Sequence, residues 1–430
     1  MSQCIGGMGR AARLTAVAFA VATAFGAQLA PDGALQWSTA HAQAEQVRAE
    51  VGKPLQAARD LIKAQKYKDA LAKLHEVDAI PNRTAYENYL LEQMRASAAM
   101  QSGDQATAAK STQALIASGR LSAADQGRYA AGLASLYYRD RDYANAAAWA
   151  QKSLAASPGD KAMRGLMIQS YYLAGDTAAA TREAMADVQA AEKAGQAPPE
   201  DRLQLLANIA SKGSDRGAYL AALERLVAYY PKKEYWSDLL RRIESKPGFS
   251  TRLSLDLYRL KRATKTLDAG NDLFEMAQLA LQERQAAEAK KILDEGFASG
   301  ALGKGADAER QKRLLALATQ RAAEAPQQLA AAEAEALGQK DGDALVRIGM
   351  GYSGLGQHDK GIQLIQQGIK QLQEDKDDKA RGKSRVDEAN LHLGIAYLRA
   401  GQKAKATQAF KSVQGNDGSA DLARLWMRVS

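Results

Sequence analysis

The sequence predicts an all-α protein of stacked antiparallel helix pairs, and three observations lead to that prediction. Alanine is abundant, whereas only nine of the 430 residues are proline and 6% are aromatic, a composition that suits helices touching through small side chains. No stretch of alternating β-branched residues is long enough to make a convincing strand. One pattern of glycine, tyrosine and apolar residues also occurs twice near the C-terminus with identical internal spacing.

The repeated pattern predicts how two neighbouring helices pack. A leading glycine, and a small residue twelve positions later, would let two helices approach closely. The tyrosine would fill the space between turns, and the next glycine would end the first helix. The predicted packing residues are Gly349, Tyr352, Gly356 and Gly361, with Ile348 and Ile365, and then Gly394, Tyr397, Gly401, Ala406 and Phe410, with Leu393.

This pattern resembles the tetratricopeptide repeat (TPR) family, whose 34-residue unit carries a Leu-Gly pair followed by a Tyr, an Ala and a Phe. Two adjacent units in the middle of the chain fill corresponding positions, with Leu133, Ala134, Tyr137, Ala146 and Pro158 in one and Tyr171 and Ala180 in the next. The resemblance implies an α-solenoid that winds as a right-handed superhelix. Ser419–Arg428 is predicted to be its C-terminal capping helix, because the last repeat otherwise exposes an apolar face.

The chain is predicted to have four parts. Residues 1–44 form a signal peptide, 45–195 an N-terminal repeat array, 196–268 degenerate helical repeats with a basic belt, and 269–430 a C-terminal array with the capping helix. The loop candidate Ala194–Asp201, which contains two prolines, places the second boundary. Pro326 is expected to separate two helices, and the charged stretch Glu374–Arg385 is expected to form a longer helix end and an exposed loop.

The N-terminus has the order of a secretory signal peptide. Arg10 and Arg13 precede the uncharged apolar run Leu14–Ala27, which is too short to span a bilayer. Ala42-Gln43-Ala44 offers a cleavage site and Ala40-His41-Ala42 an equally suitable one; the alternative is an apolar helix that stays in the protein. Cleavage predicts a periplasmic protein without a transmembrane segment. It also removes Cys4, the single cysteine, which excludes disulfides and thiolate chemistry.

A basic belt interrupts the middle of the chain. Ten Lys and Arg residues stand against four Asp and Glu residues between Lys232 and Lys265, in a chain whose formal charge is +9. This belt could attract an acidic partner, or it could be a solvated helix face over structural aromatic residues. Its candidate binding residues are Arg241, Arg242, Arg259, Lys261 and Arg262.

No motif for catalysis, a cofactor or a metal emerges. A GxGxxG match at Gly349–Gly354 falls inside a predicted repeat helix, whereas dinucleotide binding needs a strand before it. His75, His358 and His392 sit in different units, without acidic partners at metal-ligand spacing. Nucleic acid is not an expected partner of an exported protein. We therefore expect a non-enzymatic protein with no cofactor and no bound metal.

The TPR resemblance implies a concave groove that binds a protein or peptide, lined by set positions of the first helix of each unit. Those positions are Arg128, Ser135, Tyr138, Arg139, Gln169, Tyr172, Met350, Leu391 and Arg399. Tyr138 and Tyr172 could equally pack between helices. The leading hypothesis is a periplasmic scaffold or adaptor that uses this groove; the alternative is a binder of an anionic envelope component that uses the basic belt.

Overall fold

The computed structural model describes residues 46–268, 270–374 and 379–429, together with two short strands. Strands β1 (Gln28–Leu29) and β2 (Leu35–Gln36) pair antiparallel, with Gln28 opposite Gln36. Apart from these strands, the predicted signal peptide at 1–44 lies outside the described residues. Within the described part of the chain, no helix has the length and apolarity needed to cross a membrane.

Contacts divide the chain into unit 1 (Met1–Met167) and unit 2 (Ile168–Ser430). The loop at Ala194–Asp201, where the sequence places a boundary, joins two helices whose Val188 and Leu203 share one core cluster. Unit 1 consists of helices α1 (Ala49–Lys63), α2 (Tyr67–Asp78), α3 (Ala85–Ser102), α4 (Gln105–Ala117), α5 (Ala123–Arg139) and α6 (Tyr143–Ala156), and α7 (Lys161–Leu173) crosses the division.

Unit 2 continues with thirteen α-helices and a short 3₁₀ helix, Thr251–Leu253. The α-helices are α8 (Thr177–Lys193), α9 (Glu200–Lys212), α10 (Arg216–Tyr229), α11 (Lys233–Glu244), α12 (Ser254–Ala263), α13 (Asn271–Gln282), α14 (Ala286–Ala298), α15 (Ala308–Gln339), α16 (Gly342–Gly354), α17 (His358–Glu374), α18 (Lys379–Arg399), α19 (Lys403–Lys411) and α20 (Ser419–Val429). Sequential helices pack as pairs, which confirms the predicted all-α class.

An aspartate caps several of the helices that follow a short turn. The side chain of each accepts a hydrogen bond from the backbone N–H three residues later, at 2.9–3.2 Å, which satisfies a donor that has no partner inside the helix. The capping residues are Asp104, Asp142, Asp176, Asp215 and Asp341. A short turn followed by a capped helix therefore recurs along both units.

Unit 1 buries one charged side chain where α1 meets α3. Glu87 is fully buried and accepts from the Arg48 guanidinium at 2.9 Å. It also completes a capping box with Thr84, whose backbone N–H donates to Glu87 at 2.8 Å. The hydrogen bond from Arg48 is the main cause that lowers the pKa of Glu87 to about 2. A buried charge is tolerated here because it is both paired and hydrogen-bonded.

Two pairs of helices in unit 2 hold the residues of the repeated pattern. A Cβ atom placed on Gly349 would lie 2.6 Å from the backbone oxygen of Gly361, so the backbones of α16 and α17 are almost in contact. In the next pair, a Cβ atom placed on Gly394 would overlap the ring of Phe410. Tyr352, Tyr397, Ala406 and Phe410 are buried, and Gly356 and Gly401 follow their helices with φ of +82° and +74°.

Helix α15 runs unbroken for 32 residues with Pro326 inside it, so the predicted pair of helices split at this proline is wrong. Proline removes one hydrogen bond from a helix interior. The flanking residues are mostly alanine, leucine, glutamate and glutamine, which are strong helix formers and outweigh that loss. In the charged stretch, α17 ends at Glu374 and α18 begins at Lys379; residues 375–378 lie outside the described residues.

Unit 2 closes back on itself through its last helix. The predicted capping helix is confirmed as α20, but α20 also contacts α10 and α12. Arg424 pairs with Glu224 at 2.7 Å, and Lys246 pairs with Asp421, also at 2.7 Å. Buried residues of α8–α12 and α16–α20 form one continuous core cluster. The first and last helices of this unit therefore share a core.

Candidate binding groove

The closure of unit 2 forms a groove of about 270 Å³ where five helices converge. Its lining is half apolar and half charged. The lining residues are Arg259 and Arg262 from α12, Met276 from α13, Glu288 from α14, Ile395, Leu398 and Arg399 from α18, and Trp426 from α20. We call this feature the unit 2 groove.

A buried ion network forms one wall of the unit 2 groove. Arg259 donates to Asp256 at 2.7 Å and to Glu288 at 2.6 Å, and Glu288 also accepts from Arg399 at 2.8 Å. Burial opposes the charged form of Glu288, but the two guanidinium groups outweigh it and hold its pKa well below the usual range. Removing one member of such a network leaves a buried charge unpaired, at a cost of about 3–5 kcal/mol.

His392 extends this network away from the groove. Its Nε2 lies 3.0 Å from Asp256 Oδ2, so the structure gives His392 an acidic partner 136 residues away in the chain. Burial disfavours the charged imidazole, but the Asp256 carboxylate outweighs burial and raises the pKa of His392. Glu388, one turn earlier on α18, has its pKa raised by burial. His392 Nδ1 has no hydrogen-bond partner among the described residues.

The apolar part of the groove is built around Trp426. Its indole stacks on Phe410, with ring centroids 6.4 Å apart and an interplanar angle of 9°. Met276 and Ile395 are buried beside the groove, whereas Leu398 is half-buried. Within the described part of the chain, Trp426 Nε1 and Arg399 Nη1 are buried without an acceptor. Two residues of the lining thus carry spare hydrogen-bond donors.

The structure brings together residues from two separate sequence predictions. Arg399 was predicted to line the TPR groove, and Arg259 and Arg262 to belong to the basic belt; all three line the unit 2 groove. Met350 and Leu391 are 1% and 0% exposed. Because a partner cannot reach them, they are core residues of unit 2 and not part of a binding surface.

The predicted groove residues of unit 1 lie on α5. Arg128 pairs with Asp125, and Ser135 donates to the Ala131 carbonyl at 3.0 Å; both are exposed, as is Arg139. Tyr138 packs edge-on against Tyr143, with ring centroids 5.5 Å apart. Half-buried Tyr138 thus packs against α6.

The two remaining predicted groove residues lie in unit 2, on the last turns of α7. Gln169 is exposed, and Tyr172 is half-buried. The ammonium group of Lys212 lies 4.7 Å from the centroid of the Tyr172 ring. An ammonium over an aromatic face is a favourable cation–π contact, so Tyr172 packs against α9 within its own unit.

Each candidate residue of the basic belt is paired with a carboxylate. Arg241 and Arg242 contact Asp238 at 2.6 and 3.2 Å. Lys261 contacts Glu244 at 3.1 Å, and Arg262 contacts Glu295 at 2.5 Å. The fifth, Arg259, is only 6% exposed. This pairing, together with the burial of Arg259, lowers the positive field at the surface of the belt.

The groove can bind but offers little for catalysis. General acid–base catalysis needs a group that contacts the substrate and has a pKa near the working pH. The charged groups of the groove are instead engaged in ion pairs. No cluster of three or more His, Cys, Asp or Glu residues with the arrangement of a metal site occurs in the described ranges. Spare donors beside apolar side chains are suited to holding part of another molecule.

Sequence reasoning did not find several residues of this site. Glu288 carries no motif, and Trp426 was assigned only to the cap. Asp256 and His392 are 136 residues apart in the chain. The one available signal was the density of arginine and tyrosine in the belt, which located α12 but not the helices that pack on it.

Comparisons with known proteins concern the fold. No family model matches the chain, and no curated protein matches it. A TPR protein from Parabacteroides merdae is 13% identical, with 63% of this chain and 99% of that chain covered and a TM-score of 0.27. The P58(IPK) TPR domain is 19% identical, with coverages of 88% and 98% and a TM-score of 0.22. The Naa15/Naa10 structure with HypK-THB is 14% identical, with coverages of 86% and 58% and a TM-score of 0.32.

These similarities add no binding or catalytic residue to those described above. The helix pairs, their aspartate caps and the glycine–tyrosine packing residues are properties of the chain itself. On those properties, the chain is an all-α array of helix pairs that resembles the TPR proteins.

Proposed function

We propose that this chain is a non-catalytic protein–protein interaction scaffold that holds a segment of a partner protein in the unit 2 groove. The observation that carries the proposal is the groove itself: five helices converge on a concave surface whose lining combines apolar side chains with guanidinium groups. Concave apolar sites with a few placed polar groups are the usual form of binding sites. Aromatic residues and arginine also dominate the binding energy of protein interfaces.

Photo-cross-linking in intact cells tests this proposal. A photoreactive amino acid replaces Leu398, a half-buried residue of the groove lining. The matched control carries it at Leu337, which is 38% exposed on α15 and is not a groove residue. We expect mass spectrometry to find a protein cross-linked from position 398 and absent from position 337. Equal recovery from both positions, or none above background, would contradict the proposal.

The basic belt provides a rival mode of binding that salt can distinguish. Attraction between exposed charges weakens steeply as ionic strength rises, because the screening length falls from about 10 Å at 0.1 M to about 3 Å at 1 M. We expect the cross-link at position 398 to persist when washed cells are treated in high salt. A cross-link that forms at about 0.1 M salt and is lost at about 1 M salt would favour an anionic component bound at the belt.

We further propose that the protein is exported after cleavage of residues 1–44. The support is the order of a basic start, an apolar run and small residues before Ala44. N-terminal sequencing of the protein from a periplasmic fraction tests the proposal, and the expected first residue is Glu45 or, for the alternative site, Gln43. An intact N-terminus on cytoplasmic protein would overturn it.

A further inference from the structure

We infer that the unit 2 groove is specific for a segment in which a carboxylate stands next to a large apolar side chain. This inference rests on the proposed function, because it names the chemistry of the segment that the groove holds. Three features of the groove lead to it: its hydrogen-bond balance, its charge and its size.

The hydrogen-bond balance of the lining favours a ligand that accepts. Glu288 uses both carboxylate oxygens, Oε1 toward Arg259 and Arg399 and Oε2 toward Arg259. Arg399 Nη1 and Trp426 Nε1, in contrast, are buried donors without an acceptor among the described residues. A buried polar group without a partner carries a desolvation penalty. A ligand oxygen that reaches these donors would recover it.

The charge of the lining favours an anion over a cation. Three arginines line the groove, against the single carboxylate of Glu288. Outside the lining, Asp256 pairs with Arg259 and is 1% exposed, and Glu295 pairs with Arg262. The side chains of Arg262 and Arg399 remain 31% and 23% exposed. An ammonium group in this position would face guanidinium groups, whereas a carboxylate would complement them.

The size of the groove limits the ligand to a short stretch of chain. A volume of about 270 Å³ lies just below the range of sites for drug-sized molecules, about 300–1,000 Å³. Of the apolar lining, Leu398 is half-buried and Trp426 is 8% exposed, so one large apolar side chain can pack against these two residues. The carboxylate must then come from the same residue, as a chain terminus, or from its neighbour in sequence.

Peptide binding to the full-length protein tests the inference. The first pair of fluorescent peptides is Gly-Ser-Asp-Phe-Gly-amide and the same peptide with Asn in place of Asp. The second pair is Gly-Ser-Gly-Phe with a free carboxylate and with a terminal amide. Fluorescence polarisation measures all four. We expect at least one charged peptide to bind ten times more tightly than its neutral partner; the first pair reports a side-chain carboxylate and the second a chain terminus.

Two variants assign the effect to the groove. Arg399→Gln should reduce the preference for the charged peptide to less than about twofold, while Glu288 keeps its contact with Arg259. Trp426→Phe, which keeps a stacking ring and removes the N–H donor, should weaken charged-peptide binding about three- to tenfold. Arg182→Gln is the control, because Arg182 is 67% exposed and belongs neither to the groove nor to the basic belt; it should bind as the parent protein does.

Equal binding within both peptide pairs, or no binding at all, would overturn the inference. So would a preference that survives Arg399→Gln in a protein with unchanged circular dichroism. The proposed function would still stand if position 398 cross-linked a partner in cells, because the groove would then hold a segment of different chemistry. Peptide selectivity without any cellular cross-link would support the inferred ligand chemistry and contradict the proposed function.

Discussion

In α16 and α17, two glycines bring backbone against backbone, whereas in α18 and α19 one glycine makes room for an aromatic ring. Gly349 lies against the Gly361 carbonyl and Ile365, and Gly361 lies against the Gly349 carbonyl in return. In the second pair, the position of Gly361 is taken by Ala406, and the space beside Gly394 is filled by Phe410. The same spacing in sequence therefore supports two kinds of contact.

The two pairs differ in whether the group that contacts the glycine can move. A backbone carbonyl is fixed by its helix, so the contact at Gly349 cannot relax without shifting α17 as a whole. A phenylalanine ring can turn about its side-chain bonds, or can be replaced by a smaller group. We therefore expect the first pair to be intolerant of any added atom and the second pair to be open to compensation.

Gly349→Val is expected to have the largest effect. Its Cβ would meet the Gly361 oxygen at 2.6 Å and the Ile365 nitrogen at 3.1 Å, and overpacking of this kind costs about 3 kcal/mol. Hydrogen exchange measured by mass spectrometry should show lower protection in α16 and α17. The control is Gly338→Ala, on an exposed helical glycine with no atom within 4 Å of an added Cβ, which should gain about 1 kcal/mol. Unchanged protection in Gly349→Val would refute the backbone contact.

Gly394→Ala tests whether the second pair can compensate. Alone it should cost about 2 kcal/mol, because the added methyl group overlaps the Phe410 ring. Combined with Phe410→Leu, the cost should fall below the sum of the two single changes by at least about 1 kcal/mol. The matching pair, Gly349→Ala with Ile365→Val, should show no such recovery, because the Gly361 carbonyl remains. Equal coupling energies in these two double-mutant cycles would contradict the claim that only the second pair can compensate.

The tyrosine hydroxyls should also contribute more stability in the first pair than in the second, but the difference should be smaller than for the glycines. Tyr352 donates to Glu333 at 2.7 Å and accepts from Lys360 at 3.0 Å, whereas the Tyr397 hydroxyl accepts only from Gln366, at 3.0 Å, within the described residues. Hydrogen bonds to charged groups contribute about 1.5–3 kcal/mol and neutral ones about 0.5–1.5 kcal/mol. Chemical denaturation should therefore show a larger loss for Tyr352→Phe than for Tyr397→Phe, and the reverse order would contradict this assignment.

The smallest expected difference between the pairs is in their loss of exchange protection at low pH. Burial opposes ionisation of Glu333, but hydrogen bonds from Lys360 and Tyr352 outweigh it and lower its pKa. A lowered pKa in the folded state means that this contribution is full above the unfolded pKa and is lost as the pH falls through the folded one. As the pH falls below the ordinary glutamate pKa of about 4.3, α15–α17 should lose exchange protection, and the loss should be smaller in Glu333→Gln. Acid sensitivity unchanged by Glu333→Gln would rule out this role.

The packing of the pairs could be predicted from sequence because each pattern acts over a short distance. Gly349 and Gly361 are twelve residues apart, and a glycine or tyrosine at a fixed repeat position has one main structural use. The unbroken α15 could not be predicted from Pro326 alone, since the outcome depends on the helix-forming strength of the residues on both sides.

The groove could not be predicted, because its contacts join distant parts of the chain. Arg399 meets Glu288 across 111 residues, and Arg424 meets Glu224 across 200. No short-range spacing encodes either contact, and the predicted open array would have left Met350 and Leu391 near a surface. The belt contains Asp238, Glu244 and Asp256, but Glu288 and Glu295 lie outside it, so the sequence alone did not show their pairing with Arg259 and Arg262.

The contact of α20 with α10 and α12 has a consequence for how the chain is made. Repeat arrays with contacts only between neighbours can gain structure one unit at a time as they emerge from the ribosome. Here the core shared by the first and last helices of unit 2 needs Trp426 and Leu422 in place, and these residues are synthesised well after α8–α12. The apolar faces of α8–α12 that pack on α20 therefore stay open until α20 has been translated. Such a delay keeps apolar surface of the chain available to chaperones.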